Sequence, residues 1–430
     1  MTLPTLNITQ RLTSPSLALA TLLTLITEFG IADLSYAAGI LIWSYLGFRF
    51  GHLKPKQKRQ IGTLLVIGGV LIALAAVINP YSIDLLTLLK ANQLIIALLV
   101  AVSFLRVITH IRSDEQTSTG NVSILKTLLG THAIASIINI SASQIVADRI
   151  QRSGELNAAQ GVVIARAFGL CAFWSPFFAA MGVTLISAPD AQLFTLVIWG
   201  LPSTAIALLF TYLQIAKKSE YSPFIGYPLS INSLALPVGL ATTVLLTHYW
   251  YPNTSVILQV SLLSILAALL IAPMIGKSQA FKSHVFEGLN GSSGEVSLFV
   301  AASVLATGFS AVINATGADL TPDTFGFSEA TITLTFLVGL SMIGVHPVTS
   351  NLIAGALLLP VATDHNLLGI TLLFSWSMGV TLSPLAGNQI LLQARYGVRA
   401  RDLLKANLPF ALVMMPVCFG VLYLYQEFGG

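Results

Sequence analysis

Apolar runs of about 17 to 25 residues, the length a helix needs to cross a hydrocarbon core, follow one another along almost the whole chain. In lipid every unpaired backbone amide or carbonyl costs several kcal/mol, so such runs are restricted to helices that satisfy their own backbone. Only 9% of the 430 residues are charged and 55% are hydrophobic, against roughly 25% charged in soluble domains. No stretch between the runs is long enough for a soluble domain. These features predict an all-α integral membrane protein with one multi-pass membrane domain.

Crossings are expected near 16 to 29, 31 to 49, 61 to 79, 91 to 108, 160 to 186, 192 to 216, 232 to 249, 255 to 275, 296 to 316, 367 to 392 and 407 to 426, about eleven in all. Two further apolar stretches, 122 to 147 and 331 to 362, are interrupted by polar residues near their middles. They read as re-entrant hairpins, which a bilayer tolerates only where the backbone is buried in protein or lines a watery cavity.

Charge placement orients the chain, because cytoplasmic loops collect Lys and Arg. With the N-terminus inside, the cytoplasmic connections receive Arg49, Lys54, Lys56, Lys58, Arg59, Arg106, Arg112, Lys126, Arg149, Arg152, Lys217, Lys218, Lys277, Lys282, Arg395, Arg399, Arg401 and Lys405. The outside receives Glu28, Asp33, Asp84, Asp190, Asp319, Asp323 and Asp364, with Lys90 as the exception. The partition holds when the first hairpin enters from the cytoplasm and the second from outside, as an inverted repeat requires. The net charge of +4 therefore reports topology and not nucleic-acid binding. The polar N-terminus lacks a signal-peptide pattern, so the first helix is expected to be retained in the cytoplasmic (inner) membrane. Cys171 and Cys418 have no metal-ligand spacing and read as packing residues, and His248 to Pro252 reads as an interfacial aromatic anchor.

Two distant segments share a pattern of polar breaks. His132 to Ser143 precedes Trp174-Ser175-Pro176, and Gly344 to Asn351 precedes Ser383-Pro384, with 43 residues from His132 to Ser175 and 37 from His346 to Ser383. Gly/Pro-interrupted segments at corresponding places in two halves are the best sequence pointer to a transporter's binding site. The expected repeats are 1–190, with hairpin 122–147 and broken helix 160–186, and 191–430, with hairpin 331–362, broken helix 367–392 and a final helix 407–426. Candidate substrate and ion contacts are Asn139, Ser141, Ser143, Ser175, Thr349, Ser350, Asn351, Ser383 and Asn388, because freed backbone groups with small polar side chains suit anions at helix N-termini and Na⁺ at carbonyls. His132 and His346 are candidate proton or anion contacts, and Arg166 either contacts an anion or snorkels to the cytoplasmic surface. For each element alone the plain alternative is a Pro kink, a cross-helix hydrogen bond or a His capping loop carbonyls.

A hairpin followed by an interrupted helix, repeated with opposite orientation, resembles the ion transporter superfamily, most nearly the divalent anion/Na⁺ symporter family of dicarboxylate, citrate and sulfate carriers. The likeness is architectural. That family's tips usually read Ser-Asn-Thr, whereas this chain has Asn139-Ile140-Ser141 and Thr349-Ser350-Asn351. The resemblance implies a secondary carrier in which tips and breaks form one site. It also implies Na⁺ as coupling ion, a homodimer, and a transport domain moving against a scaffold built from spans 16 to 108 and 192 to 275. The expected solute is a small anion, carboxylate or oxyanion, coupled to Na⁺ or H⁺, with no cofactor, no nucleic-acid partner and no enzymatic activity. A cation/proton antiporter or metalloid exporter of the same superfamily is the second reading, disfavoured by acids that lie mostly in loops. An intramembrane enzyme or complex subunit is third: catalytic motifs such as H-E-x-x-H and G-x-S-x-G are missing, and no Walker motif supports ATP-driven transport.

Overall fold

The structure is a computed structural model that describes residues 8–79, 85–109, 119–151, 155–217, 224–227, 232–317 and 321–429. Asp84, Arg112, Arg152, Lys218 and Asp319, named above for the charge partition, lie outside the described residues, as do most of the 219–231 linker and parts of the others. The described chain is helical: α1 (Ile8–Glu28), α2 (Ser35–Phe50), α3 (Pro55–Ile78), α4 (Leu85–Lys90), α5 (Gln93–Ser103), α6 (Leu105–Ile108), α7 (Asn121–Ile138), α8 (Ile140–Gln151), α9 (Ala158–Gly169), α10 (Ala179–Ser187), α11 (Leu193–Ala216), α12 (Asn232–Trp250), α13 (Val256–Met274), α14 (Ser278–Phe286), α15 (Ser293–Thr316), α16 (Phe327–Met342), α17 (Pro347–Leu358), α18 (His365–Leu382), α19 (Gly387–Tyr396) and α20 (Ala400–Phe428).

Eight helical stretches among the described residues are long and apolar enough to cross a membrane. Several expected crossings are shorter or broken. The 31 to 49 span folds as the 16-residue α2, and 160 to 186 is divided into α9, a 3-10 turn (Leu170–Phe173) and α10. The 367 to 392 stretch is divided between α18 and α19. Outward-facing apolar side chains such as Val66, Val70 and Val77 on α3, and Ile198 and Leu209 on α11, give these helices the surface that lipid covers.

The chain forms two interleaved compact units, one of Met1–Ile108 with Leu246–Leu320 and the other of Thr109–Leu245 with Thr321–Gly430. In the first unit the closest pair is α3 on α15. A Cβ on Gly68 would stand 2.7 Å from the Leu305 nitrogen, and one on Gly308 would stand 2.6 Å from the Gly68 carbonyl, so only glycines let these backbones meet. Lys90, the exception to the charge partition, is held there by Asp33 at 3.8 Å and lies over the Tyr36 ring. The Ser35 side-chain and backbone hydrogen bonds, followed by Lys90, lower the Asp33 pKa.

The second unit is built around α18, whose residues from Leu367 to Leu382 are all buried. It packs against α9, α10, α11, α16, α17 and α20. Helix α11 belongs to this unit, so the stretch 192 to 216 groups with the interrupted helices and not with residues 16 to 108. Several helix starts recur at a near-constant spacing in the two segments of the unit. Helices α8, α9 and α11 begin at 140, 158 and 193, and α17, α18 and α20 begin at 347, 365 and 400, each 207 residues later.

Candidate functional site

Four interruptions of helix lie in the second unit. Between α7 and α8 a single residue, Asn139, leaves the helix at φ 52 and ψ −137, a positive-φ conformation outside the αL region that residues with side chains rarely adopt. Ile343, Gly344 (φ 103), Val345 and His346 separate α16 from α17. Residues 174–178, carrying Ser175-Pro176, separate the 3-10 turn from α10, and 383–386, carrying Ser383-Pro384, separate α18 from α19. Proline lacks the amide that would continue the ladder, which fixes both later breaks where the Ser-Pro pairs stand.

Short contacts tie the four together. Asn139 Nδ2 donates to the Phe177 carbonyl at 3.2 Å, and Ser175 Oγ donates to the Ser136 carbonyl, joining the first tip to the first break. A Cβ on Gly387 would stand 3.5 Å from Ile140 Cδ1, which sets the N-terminal end of α8 beside that of α19. One on Gly344 would stand 2.8 Å from Leu385 Cδ1, joining the second tip to the second break. Asp148 near the end of α8 pairs with Arg395 at 3.0 Å and accepts from the Tyr396 hydroxyl at 2.6 Å, clamping α8 to α19.

The expected contact residues divide into engaged and unpartnered groups. Ser175 also accepts from the Phe177 amide, and Ser383 accepts from Leu385, so both serve their own turns. Asn351 donates to the Pro347 carbonyl and accepts from Ser375, and Ser350 donates to the Pro347 carbonyl. By contrast Ser143 Oγ, Thr349 Oγ1 and Asn388 Oδ1 are buried without a hydrogen-bond partner among the described residues, as is Gln389 Oε1, which the sequence reading did not single out. Gln389 stands beside Asn388 in Gly-Asn-Gln immediately after the second Ser-Pro break, a position that could have marked it. Ser141 is half-buried in the first turn of α8. Orphaned buried polar atoms cost about 1 to 3 kcal/mol each, and these four stand in the first turns of α8, α17 and α19.

The two histidines are not equivalent. His132 lies inside α7, seven residues before the tip, where Nδ1 donates to the Ala167 carbonyl at 2.9 Å and Nε2 accepts from Trp174 Nε1 at 3.1 Å. Both ring nitrogens are thereby used, and the network assigns the neutral Nδ1–H form. His346 is the N-cap of α17: its Nδ1 accepts the Val348 amide at 3.2 Å, which leaves Nε2–H as the neutral ring's donor.

Arg166 does not snorkel to a surface. It is 0% exposed and donates to Asn407 Oδ1 at 2.9 Å, Gln214 Oε1 at 2.8 Å, Thr211 Oγ1 at 3.3 Å and the Ala406 carbonyl at 2.6 Å, with the Phe410 ring 4.3 Å away. Asn407 in turn donates to the Thr381 carbonyl at 2.8 Å, and Gln389 Nε2 donates to the same carbonyl at 2.9 Å. The break after α18 frees that carbonyl, and Arg166 positions one of the two side chains that satisfy it.

No protein-family model matches the chain, and no curated protein matches it.

Proposed function

We propose that the chain is a secondary active transporter of a small anionic solute, a carboxylate or oxyanion, coupled to Na⁺ or H⁺ with Na⁺ favoured. The observation that carries this reading is the meeting of four helix interruptions in one buried unit, with Ser143, Thr349, Asn388 and Gln389 left holding unpartnered oxygens. Discontinuous helices that offer N-terminal amides to anions and oxygens to cations are the form such sites take in lipid. The orphaned oxygens are neutral and hard, which suits Na⁺ in the second unit. His132 is fully engaged, which disfavours it as a proton relay.

Supporting the inverted-repeat reading, α8 and α17 are each 12 residues, about 18 Å, too short to cross a core of about 30 Å alone. Helix α7 packs on α8 and α16 on α17, as hairpin arms would. The near-constant spacing of helix starts and the alternation of units favour two repeats that meet near residue 245 instead of 190. On this reading about eleven crossings and two re-entrant hairpins stand in the inner membrane. The second unit is the moving body, the first is the scaffold, and a second copy is the expected partner.

The antiporter reading keeps one favourable observation. Glu295, half-buried in the first turn of α15, is an acid within a candidate span that the sequence reading passed over. Thermal stabilisation of purified protein separates the two readings, since a ligand that binds only the folded state raises its melting temperature by mass action. An anion-dependent shift that needs Na⁺ and disappears in Asn388→Ala supports the symporter. Shifts that follow pH alone and disappear in Glu295→Gln would replace it with the antiporter.

A further inference from the structure

Each short tip helix packs beside a helix that opens after a Ser-Pro break, α8 beside α19 and α17 beside α10. Asp148 is the ninth residue of α8 and Arg395 the ninth of α19, while the ninth residues of α17 and α10 are Gly355 and Ser187. Both of these pairs meet, and their chemistry is opposite. Gly355 and Ser187 are buried, and a Cβ on Gly355 would stand 2.3 Å from Ser187 Cβ, so this seam is closed by direct apposition. One turn earlier on α17, the buried Asn351 accepts from Ser375 of α18 at 2.7 Å. Asp148 and Arg395 instead form an ion pair at 3.0 Å, with side chains 41% and 47% exposed. The Tyr396 hydroxyl donates to Asp148 at 2.6 Å and lies 3.1 Å from the Gln144 carbonyl.

From this asymmetry we infer that Asp148, Arg395 and Tyr396 form a gate: their clamp closes the seam between α8 and α19 and parts to open that side of the site, while the seam between α17 and α10 stays sealed. The inference rests on the transporter reading and names how its site is closed. Solvent-exposed ion pairs contribute little to stability, and water takes over both partners once they separate, so the clamp opens at small cost. Separating Gly355 from Ser187 would instead undo close packing. Helix α19 is the fixed jaw. Its Tyr396 ring is buried, and Val398 just beyond it fills the space over Gly161 of α9, where a Cβ would stand 2.6 Å from Val398 Cγ1. Helix α8 is the moving jaw, joined to α7 through the single non-helical residue Asn139, as a hinge requires. The unpartnered oxygens of Ser143, Asn388 and Gln389 stand at the opposite ends of the same two helices from the clamp. On the proposed insertion the clamp end, with Arg149, Arg395 and Arg399, faces the cytoplasm.

The test uses Ser143→Cys as reporter in a Cys171→Ala, Cys418→Ala background, with the rate of modification by a membrane-impermeant maleimide measured in inside-out and right-side-out vesicles. Asp148→Ala, which removes the ion pair and the acceptor of Tyr396 together, should raise the rate from the cytoplasmic side about 10-fold and leave the outside rate unchanged. Arg395→Asp, which sets two carboxylates against each other, should do the same, and adding Asp148→Arg to it should bring the rate back to within about 3-fold of the intact clamp, as a pairwise interaction requires. A clamp that merely ties the fold together lowers the melting temperature of these variants and leaves the labelling rates alone. Unchanged rates, a rise from both sides alike, or no recovery in the charge-reversed pair would overturn the gate. Labelling needs no solute, so such a result leaves the transporter reading to stand or fall on anion binding and uptake.

Discussion

At the scale of single residues, Arg166 is the clearest case of a side chain whose role the local sequence hides. Its place in an apolar helix suggests snorkelling, but its partners Ala406 and Asn407 come from 240 and 241 residues away. No local pattern encodes that meeting. Removing a buried guanidinium from a network that depends on it costs on the order of 3 to 5 kcal/mol, so Arg166→Ala should sharply lower the melting temperature and yield in detergent. Arg166→Lys should recover little of the loss, because an ammonium cannot reproduce the fork that reaches α11 and α20 together. A melting temperature within a degree or two of wild type for either variant would contradict this role. The Ser-Pro breaks, by contrast, were legible because proline acts through its own backbone. The partners of His132, the Ala167 carbonyl and Trp174, were not legible, because they come from a later helix and no local pattern encodes that meeting.

Among the elements, α14 left little trace in the sequence. Nine residues of mixed polarity give neither the length of a crossing nor a long period. Its His284 has Nε2 2.9 Å from Ser103 Oγ, and burial, then Arg106, push its pKa down to about 4. Below the ordinary value near 6.5 the unfolded chain takes up a proton that the folded chain refuses. The stabilisation is therefore complete above about pH 6.5 and is lost as pH falls toward 4. The melting temperature of wild type should drop over that window, and His284→Gln should flatten the slope; parallel slopes would count against the assignment. The contact between α3 and α15 is a second element that sequence could not pair, since Gly68 and Gly308 lie 240 residues apart and glycines are common along the chain. Gly68→Leu should force the helices apart, with a cost of about 1 to 3 kcal/mol typical of overpacking, visible as a lower melting temperature. An unchanged melt would mean that the pair yields freely.

For the whole molecule, helical class and membrane character were legible because apolar run length is a direct consequence of bilayer thickness. The interleaving of two units was not, since residues 1–108 and 246–320 carry no paired polar breaks to mark their kinship. The proposed insertion predicts that Lys56→Cys and Lys282→Cys react with a membrane-impermeant thiol reagent from the cytoplasmic side only, and Asp190→Cys and Asp323→Cys from outside only. These labels are read in a Cys171→Ala, Cys418→Ala background, and the reverse pattern would invert the orientation. Function at this scale is vectorial, so the most direct measurement is uptake of radiolabelled benzoate, succinate, citrate and sulfate into proteoliposomes with an imposed inward Na⁺ gradient, in wild type and Asn388→Ala. Accumulation of at least one of these anions above the equilibrium level that collapses with the gradient, and is lost in Asn388→Ala, is the expected result. No gradient-driven movement of any anion in the panel would contradict the claim that this chain is an anion carrier.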